Sequence, residues 1–269
     1  MLRWRFVRCS VLAAACWSVA GGEPCRAQTA LAPGFHLAPD PARPETINAG
    51  AWRRMSRLGR LAAVVTADVL SSREGVESIP LFWGTGGGEF SSTAAFLRSL
   101  FTKGPALASP LAFQNSVHNA PAGHLSIAFG LRGPSETICA GPLTTLRTLE
   151  RAMVWVHLRR EPVLVVVADD LGPDVQLGLQ LAHPDGDVAW GEGAAAFVLG
   201  PGEAALALTC SAGGAWTRAQ RYPGEDRLCR TAAGVVAYDQ MLGLFPAADA
   251  VALVMGERVS FPGWTLEIA

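Results

Sequence analysis

The hydrophobic positions of this chain alternate between two patterns along its length. Leu58, Leu61, Val65 and Val69 recur every three or four residues, which predicts an amphipathic helix over Ala51–Leu70. Short apolar runs bounded by glycine or proline instead predict buried strands, at Ile79–Trp83, Pro162–Ala168 and Ala194–Leu199. Strands that alternate with helices are typical of a layered α/β domain.

Weaker patterns predict the remaining elements. Ala30–Pro44 is rich in proline and reads as a loop. Three further helices are predicted, at Thr93–Phe101 (capped by Ser91 or Ser92), after the turn that opens Ser116–Gly130, and at Gly141–His157. Beyond Pro201 the pattern favours a strand at Ala204–Cys210 paired with Ala194–Leu199, a helix at Leu228–Leu244, and strands at Ala250–Met255 and Thr265–Ile268.

The N-terminal segment supports two interpretations. Basic residues precede an apolar run, and a small residue, Ala27, stands where a signal peptidase would cleave. The same residues, Phe6–Trp17, also read as a first buried strand followed by a turn at Gly21-Gly22. We expect the strand and a cytoplasmic protein; cleavage after Ala27 would instead indicate secretion. No apolar run reaches the roughly 20 residues of a membrane-spanning helix.

Composition narrows the classes of function. Half of the 269 residues are hydrophobic and 17% are charged, so a large core can form. The net charge of −1 lacks the basic excess of a nucleic-acid-binding protein. The six cysteines form no CxxC pair, which argues against a zinc site. Asp169-Asp170 follows a predicted strand without further ligands nearby, so we expect an exposed strand end and no metal.

A glycine-rich turn follows the first internal strand, at Gly84-Thr85-Gly86-Gly87-Gly88. Such a turn can cradle a phosphate. It lacks the GxGxxG spacing and has no Gly-Lys-Ser/Thr after it, so a tight strand-to-helix connection is the favoured interpretation.

The segment from His118 to Ser135 contains the run Ala122-Gly-His-Leu-Ser-Ile127, followed by Gly130-Leu-Arg-Gly-Pro-Ser135. It resembles the approach to the nucleophilic cysteine of β-ketoacyl synthases, the condensing enzymes of fatty acid and polyketide synthesis. Other pieces match in the same order: Arg53-Arg-Met-Ser-Arg-Leu58, Ser109-Pro110, Phe113–Ala120 and Trp190-Gly-Glu-Gly-Ala-Ala-Ala-Phe-Val-Leu199. Within that family, the chain resembles the short chain-length-factor-like proteins of aryl polyene and related pathways.

The resemblance implies a fold and a domain organisation. We expect an α/β, thiolase-like layered fold that represents the N-terminal half of a condensing enzyme, with a mixed sheet packed by helices. Residues 1–200 would form the ketoacyl-synthase-like domain, and residues 201–269 a short C-terminal extension of it. Condensing enzymes begin with a strand, which favours the strand interpretation of the N-terminus. An incomplete half is expected to leave an apolar face exposed.

The resemblance also shows what the chain lacks. In the family the nucleophilic cysteine stands nine residues after the glycine of Gly-Pro-Ser; here that position is Pro142. Condensation needs a thiolate to accept the acyl group and polar groups, usually C-terminal histidines, to stabilise an enolate. No histidine follows residue 183. Cys139 and His118 are weak substitutes: we expect Cys139 to be buried before the helix and unactivated. Glu192, between two glycines, is expected to be a turn residue.

The expected function is therefore a non-catalytic subunit that pairs with a full-length β-ketoacyl synthase. The alternative is a cysteine-independent acyltransferase or malonyl-thioester decarboxylase. No cofactor is expected, because phosphopantetheine would arrive on an acyl carrier protein. The predicted dimer and substrate-tunnel scaffold comprises Ser116, His118, Asn119, Gly123, His124, Gly133, Pro134, Gly191 and Gly193. The arginines of the first helix either form a solvated face or contact an acidic carrier or partner: Arg53, Arg54, Arg57 and Arg60.

Overall fold

The core of the protein is a mixed β-sheet of eight strands. The computed structural model describes residues 6–19, 21–22, 31–186, 188–202, 206–210, 228–231, 234–237, 247–254, 259–261 and 264–268. Its strands are β1 (Phe6–Trp17), β2 (Gly34–His36), β3 (Leu81–Gly84), β4 (Ser135–Ile138), β5 (Val163–Asp169), β6 (Ala189–Gly191), β7 (Gly193–Gly200), β8 (Leu206–Cys210), β9 (Leu228–Thr231), β10 (Gly234–Ala237), β11 (Val259–Phe261) and β12 (Trp264–Ile268). The eight-stranded order is β11-β12-β8-β1-β7-β5-β3-β4, and two further pairs, β9-β10 and β2-β6, stand apart.

Three neighbouring strands of the sheet run parallel. β3 pairs in parallel with both β4 and β5, whereas β5 pairs antiparallel with β7, and β7 with β1. Among the described strands, β4 forms one edge of the sheet. Of the strands that follow residue 200, β8, β11 and β12 join the same sheet, and β8 pairs with β1.

Helices cover both faces of the sheet. They are α1 (Ala49–Arg54), α2 (Arg57–Leu70), α3 (Phe90–Lys103), α4 (Pro110–Gln114), α5 (Ala120–Phe129), α6 (Thr144–Arg159), α7 (Pro173–Ala182) and α8 (Ala248–Val254). Val165 of β5 lies in a core formed with α6 and α8, and its neighbour Val166 lies in a second core formed with α2 and α5. Successive residues of a strand face opposite sides, so a strand buried on both faces must be apolar throughout. All seven residues of β5 are buried, as the run of valines predicts.

The predicted helix over Ala51–Leu70 is two helices. Met55 has extended backbone angles, and the side chain of Ser56 accepts a hydrogen bond from Gly59 N at the start of α2. The chain therefore leaves α1 at Met55 and starts α2 with Ser56 as its N-cap. The spacing of apolar residues continues through this break and does not show it. Arg53 and Arg54 consequently lie in the last turn of α1, where the helix dipole favours positive charge.

Several predictions of local structure are wrong. Helix α3 begins after Glu89 with no side-chain cap, so neither Ser91 nor Ser92 caps it. Residues 228–231 and 234–237 pair as the antiparallel strands β9 and β10 where a helix was predicted, and the predicted strand at 250–255 coincides with helix α8. The rest of the predicted 228–244 helix lies largely outside the described residues. Valine-rich and alanine-rich runs of this length suit either state, and packing decides between them.

The N-terminal strand is confirmed, and it changes the pairing of the C-terminal strands. β1 lies between β7 and β8, so β8 does not pair with β7 as predicted. The expected loop at residues 30–44 contains the short strand β2, which pairs in parallel with β6. In the described part of the chain, no helix has the length and apolar character needed to cross a membrane.

Candidate functional site

An apolar pocket of about 440 Å³ lies where the parallel strands end. The turns that follow β3, β4 and β5 bring Gly86–Gly88, Gly141-Pro142 and Asp169–Leu171 to its wall, and α7 and β6 complete it. The carboxyl ends of parallel strands are a common place for ligand sites in α/β proteins. Pro142, which stands where the resemblance expects a nucleophile, therefore lines a cavity of ligand size.

Pro142 begins no α-helix of its own. It lies in a single 3₁₀ turn, Gly141–Leu143, which leads directly into α6. Proline is accommodated there because the first amides of a helix have no partner inside it. Residue 142 therefore lies at the start of a helix, but its proline ring has no backbone N–H to donate and no nucleophilic atom.

Cys139 is exposed, which corrects the expectation that it is buried. It follows the last residue of β4, and its thiol donates to Gly86 O at 3.4 Å. Partial desolvation and the carboxylate of Asp169 raise the pKa of the Cys139 thiol above its ordinary value. A raised pKa keeps the sulfur protonated at neutral pH. Cys139 is therefore accessible to a substrate, but its thiol is not activated as a thiolate nucleophile.

Asp169 holds the glycine turn after β3. One oxygen of its carboxylate, Oδ1, accepts hydrogen bonds from Gly86 N at 2.8 Å, Gly87 N at 2.9 Å and the Thr85 hydroxyl at 3.1 Å. The turn therefore directs these amides at a carboxylate of the protein itself, which rules out the phosphate cradle considered from the sequence. Asp169 is 5% exposed, so the expectation of an exposed strand end is wrong for this residue.

Glu192 is fully buried and makes the densest set of polar contacts in the described chain near this pocket. Its carboxylate accepts from the backbone N–H groups of Ala38 and Leu171, both at 2.8 Å, and from Arg57 Nε at 3.1 Å. Arg57 also pairs with Asp40. Glu192 was expected to be a simple turn residue; the structure shows a buried anchor that joins α2 to the β6–β7 connection.

The acidic groups near the pocket have raised pKa values. Burial, reinforced by the charges of Glu89, Glu192 and Asp169, raises the pKa of Asp170 to about 7. Burial raises the pKa of Asp169 to about 6 and also raises that of Glu89, which accepts hydrogen bonds from Ser56 and Ser92. Among the described residues, no group of three or more potential ligands is arranged to hold a metal ion.

The two histidines of the motif lie in different surroundings. His118 is exposed; its ring lies against Gly88, where a Cβ would clash with it, and its carbonyl accepts from Trp83 Nε1 at 2.8 Å. His124 Nε2 lies 2.9 Å from Asn115 Oδ1, and burial followed by the charge of Arg54 lowers the pKa of His124. Neither histidine is among the described residues that line the pocket.

The other predicted scaffold residues divide between two ends of the sheet. Ser116, Asn119 and Gly123 lie on the segment that leads into and forms α5, and Ser116 accepts from Thr93 Oγ1 at 2.9 Å through its carbonyl. Gly133 and Pro134 precede β4, at the opposite end of that strand from Cys139.

Two glycines of the scaffold lie close to the acidic groups. Gly191 lines the pocket, and Gly193 pairs with Asp169 in the register of β7 with β5. Glu192 stands between them. The sequence showed this acidic residue in a glycine-rich setting, but its partners, 135 and 154 residues away along the chain, could not be seen there.

The four arginines do not share one surface role. Arg53 and Arg54 are exposed. Arg60 lies 5.5 Å above the Trp52 ring and donates to Trp52 O at 3.3 Å. Arg57 is committed to Glu192 and Asp40 inside the protein, which leaves it poorly placed for the partner contact predicted from the sequence.

Comparison with known proteins identifies the family. Residues 27–231 match the model of the β-ketoacyl synthase N-terminal domain. That match spans most of the chain, and the chain belongs to this family. No curated protein matches it in sequence.

Solved structures share the fold at low sequence identity. The complex of the ketosynthase ApeO with its chain length factor ApeC from Xenorhabdus doucetiae matches with a TM-score of 0.65 and 17% identity, over 97% of this chain and 99% of that one. The ishigamide ketosynthase/chain length factor matches at 0.61 and 20%, over 76% of this chain and 65% of that one. A β-ketoacyl synthase from Burkholderia phymatum STM815 matches at 0.59 and 15%, over 73% and 60%. The thiolase-like layered fold of the condensing enzymes is thereby established, and the chain spans under two thirds of the latter two proteins.

Proposed function

We propose that this chain is a non-catalytic ketoacyl-synthase-like subunit of the chain-length-factor type, which pairs with an active condensing enzyme in fatty acid, polyketide or aryl polyene biosynthesis. The observation that carries the proposal is Pro142 at the start of α6, beside a ligand-sized pocket. Proline cannot accept an acyl group, and acyl transfer in the family requires a thiolate.

The state of Cys139 supports the same conclusion. Its thiol precedes the turn that opens α6, donates to Gly86 O, and has a raised pKa. A cysteine nucleophile instead needs a lowered pKa, as at a helix N-terminus or beside a cation. Activity in this chain would therefore need a different group, and the partner is the natural source of the thiolate.

The structural relatives support a paired state. Two of them are named as a ketosynthase with a chain length factor, and a third is a ketosynthase complex with an acyl carrier protein, AntDE:AntF, matched at a TM-score of 0.60. By analogy, this chain would pair with a full-length synthase and meet an acyl carrier protein that brings the phosphopantetheine arm. Exposed Arg53 and Arg54 are the arginines best placed to meet an acidic carrier.

The surface proposed for the pairing is apolar. Large hydrophobic side chains are exposed along residues 97–117, which comprise the second half of α3, a 3₁₀ turn and α4. We name this the apolar surface, and its members are Leu97, Phe101, Leu107, Leu111, Phe113 and Val117. Phe101 is 82% and Phe113 61% exposed. Contiguous apolar patches of this kind mark protein interaction sites. A full-length synthase subunit is the occupant that the family membership favours.

Co-expression tests the pairing. The chain is expressed with a full-length β-ketoacyl synthase from the same organism, and the complex is isolated through a tag on the synthase. We expect a stable one-to-one complex, and we expect Phe101→Asp with Phe113→Asp to abolish it. Leu181→Asp is the matched control, because Leu181 is also exposed but lies on α7. A monodisperse chain that does not co-purify with the synthase would contradict the proposal.

A cysteine-independent decarboxylase or acyltransferase is the second candidate, and one observation favours it: the pocket beside Pro142 retains the size of a ligand site. The chain alone is incubated with malonyl carrier protein, and carbon dioxide release is followed for the wild type, Cys139→Ala and His118→Ala. Release that depends on either residue would support this candidate over the non-catalytic subunit.

A further inference from the structure

A second cavity of about 460 Å³ lies at the end of the sheet opposite to the pocket beside Pro142. It stands where β3 and β5 begin, between the turn that follows α2 and the turn that precedes β5. A cavity of this volume can hold a small molecule. We name it the distal cavity, and the lining residues that decide its chemistry are Arg73, Glu74, Ile79, Pro80, Glu161 and Val198.

Arg73 brings to the distal cavity a cation that has no acceptor in the protein. Its backbone N–H donates to Leu70 O at 3.1 Å, just beyond the end of α2. Its side chain is partly buried, and Nε is buried without a hydrogen-bond partner among the described residues. A buried donor left without an acceptor costs free energy. A carboxylate in the cavity would satisfy it, because the guanidinium fork matches the two carboxylate oxygens.

Two carboxylates line the same cavity without neutralising this cation. Glu74 and Glu161 are both exposed, and in the described part of the chain neither forms an ion pair with Arg73 or with any other basic residue. A ligand with only a negative charge would be attracted by the arginine and repelled by both glutamates. A ligand that carries an ammonium group beside its carboxylate meets an opposite charge for each of its own.

The buried lining residues of the distal cavity are apolar. Ile79 and Pro80 lead into β3, and Val198 lies opposite Leu164 in the register of β7 with β5. The backbone here is fixed, because Pro80 O accepts from Leu164 N at 2.8 Å. An apolar side chain of a ligand would lose its contact with water against these residues, which favours binding.

We propose that the distal cavity binds a free α-amino acid with an apolar side chain. Arg73 pairs with the carboxylate of the ligand, and Glu74 and Glu161 pair with its ammonium group. The buried apolar residues contact its side chain. Binding is non-covalent and changes no bond of the ligand. The site is separate from the pocket beside Pro142, so the inference does not rest on the proposed function.

Ligand-observed NMR titration of the full chain at pH 7 with four probes tests the inference. L-Leucine carries the carboxylate, the ammonium group and an apolar side chain. The probe 4-methylpentanoate lacks the ammonium group, 3-methylbutylamine lacks the carboxylate, and glycine lacks the side chain. We expect L-leucine to bind, and each of the other probes to bind about tenfold more weakly or less, because each has lost one of the three contacts.

Two substitutions with charge-matched controls test the role of each charge. Arg73→Gln should weaken L-leucine by about tenfold or more and remove its advantage over 3-methylbutylamine. Lys103→Gln, at an exposed residue outside the cavity, should leave the affinity unchanged. Glu161→Gln should bring L-leucine closer to 4-methylpentanoate, whereas Glu45→Gln, also exposed and outside the cavity, should not.

Absence of L-leucine binding, equal affinity for any of the three partial probes, or unchanged affinity in Arg73→Gln at an unchanged thermal midpoint would overturn the inference. If Arg73→Gln does not fold, Arg73→Lys and Glu161→Gln decide it, and wild-type affinity in both would overturn it. The titration uses the chain without a synthase. Its outcome is therefore separate from the co-purification that tests pairing.

Discussion

Arg57 and Glu192, 135 residues apart in the sequence, form an ion pair in which the carboxylate is fully buried. The hydrogen bond to Glu192 is the main reason that the pKa of Arg57 is raised further above its ordinary value. The pair fixes α2 to the connection between β6 and β7, and Gly191 beside it lines the pocket. Stability and pocket shape therefore depend on the same contact.

Replacement of Arg57 should lower the free energy of unfolding more than replacement of the exposed Arg53. Arg57→Ala leaves a buried carboxylate without its cation, and we expect the free energy of unfolding to fall by about 3 kcal/mol. Arg53→Ala, on the exposed end of α1, should change it by less than about 0.5 kcal/mol. Urea denaturation followed by circular dichroism measures both. Equal effects of the two substitutions would show that the ion pair contributes nothing.

The raised pKa values predict a pH dependence of stability. Asp169 and Asp170 have pKa values of about 6 and about 7 in the folded protein, against an ordinary 3.8. The folded state thus holds protons that the unfolded chain has released, so these groups make the protein less stable as pH rises from about 4 to about 7. Urea unfolding at pH 5, 6, 7 and 8 should show the fall, with a shallower slope in Asp170→Asn. The exposed control, Asp185→Asn, should keep the wild-type slope.

Two glycines of the family motif should respond to alanine with opposite signs. A Cβ at Gly133 would collide with the backbone carbonyls of Ser78 and Ile79, so Gly133→Ala should destabilise by about 2 kcal/mol. A Cβ at Gly123, inside α5, meets nothing within 4 Å, so Gly123→Ala should stabilise by about 0.5–1 kcal/mol. Thermal melts of both variants measure the shifts. A stabilised Gly133→Ala protein would contradict the close approach of this segment to β3.

The rate of alkylation and its pH dependence should show which thiols are exposed and whether the exposed thiol is a thiolate. Cys139 is exposed with a raised pKa, whereas Cys9 and Cys16 are buried. We expect iodoacetamide to modify Cys139 slowly at pH 7 and faster as pH rises, and to spare Cys9 and Cys16 until the chain unfolds. Peptide mapping by mass spectrometry gives the rate at each residue. Fast modification of Cys139 at pH 6 would indicate an activated thiolate and would favour the enzymatic alternative.

The sequence predicted the centre of the fold better than its ends. The run at 163–169 favours a strand buried on both faces, because an apolar, valine-rich segment of seven residues after a proline has the length of a strand and is short for a helix. The break between α1 and α2 was missed because Ser56 acts through a cap, which leaves the apolar spacing intact. The alanine-rich segment of α8 has no period that separates helix from strand, and its packing on β7 and β1 decides the outcome.

For the candidate site, the sequence shows a proline at the position expected for the family's nucleophile but not what surrounds it. The structure places Pro142 in the wall of the pocket. Asp169 contacts the amides of Gly86 and Gly87, and Glu192 contacts Arg57 and Ala38, all more than 80 positions away, so no spacing rule reports these contacts. Asp169 was expected at an exposed strand end and Glu192 in a turn, since a lone acidic residue in a sequence gives no sign of the cation or amides that surround it.

The position of β1 has a consequence for how the protein is made. β1 occupies the middle of the sheet, and its two neighbours, β7 and β8, begin only at residues 193 and 206, so the ribosome makes β1 well before either of them. The apolar β1 therefore stays unpaired during synthesis until the segments that form β7 and β8 have been made. Contacts so distant in sequence slow folding and leave an unpaired strand open to association with other chains. Newly made chains should accordingly depend on chaperones, and on early capture by a partner subunit, more than a protein whose first strands pair with each other.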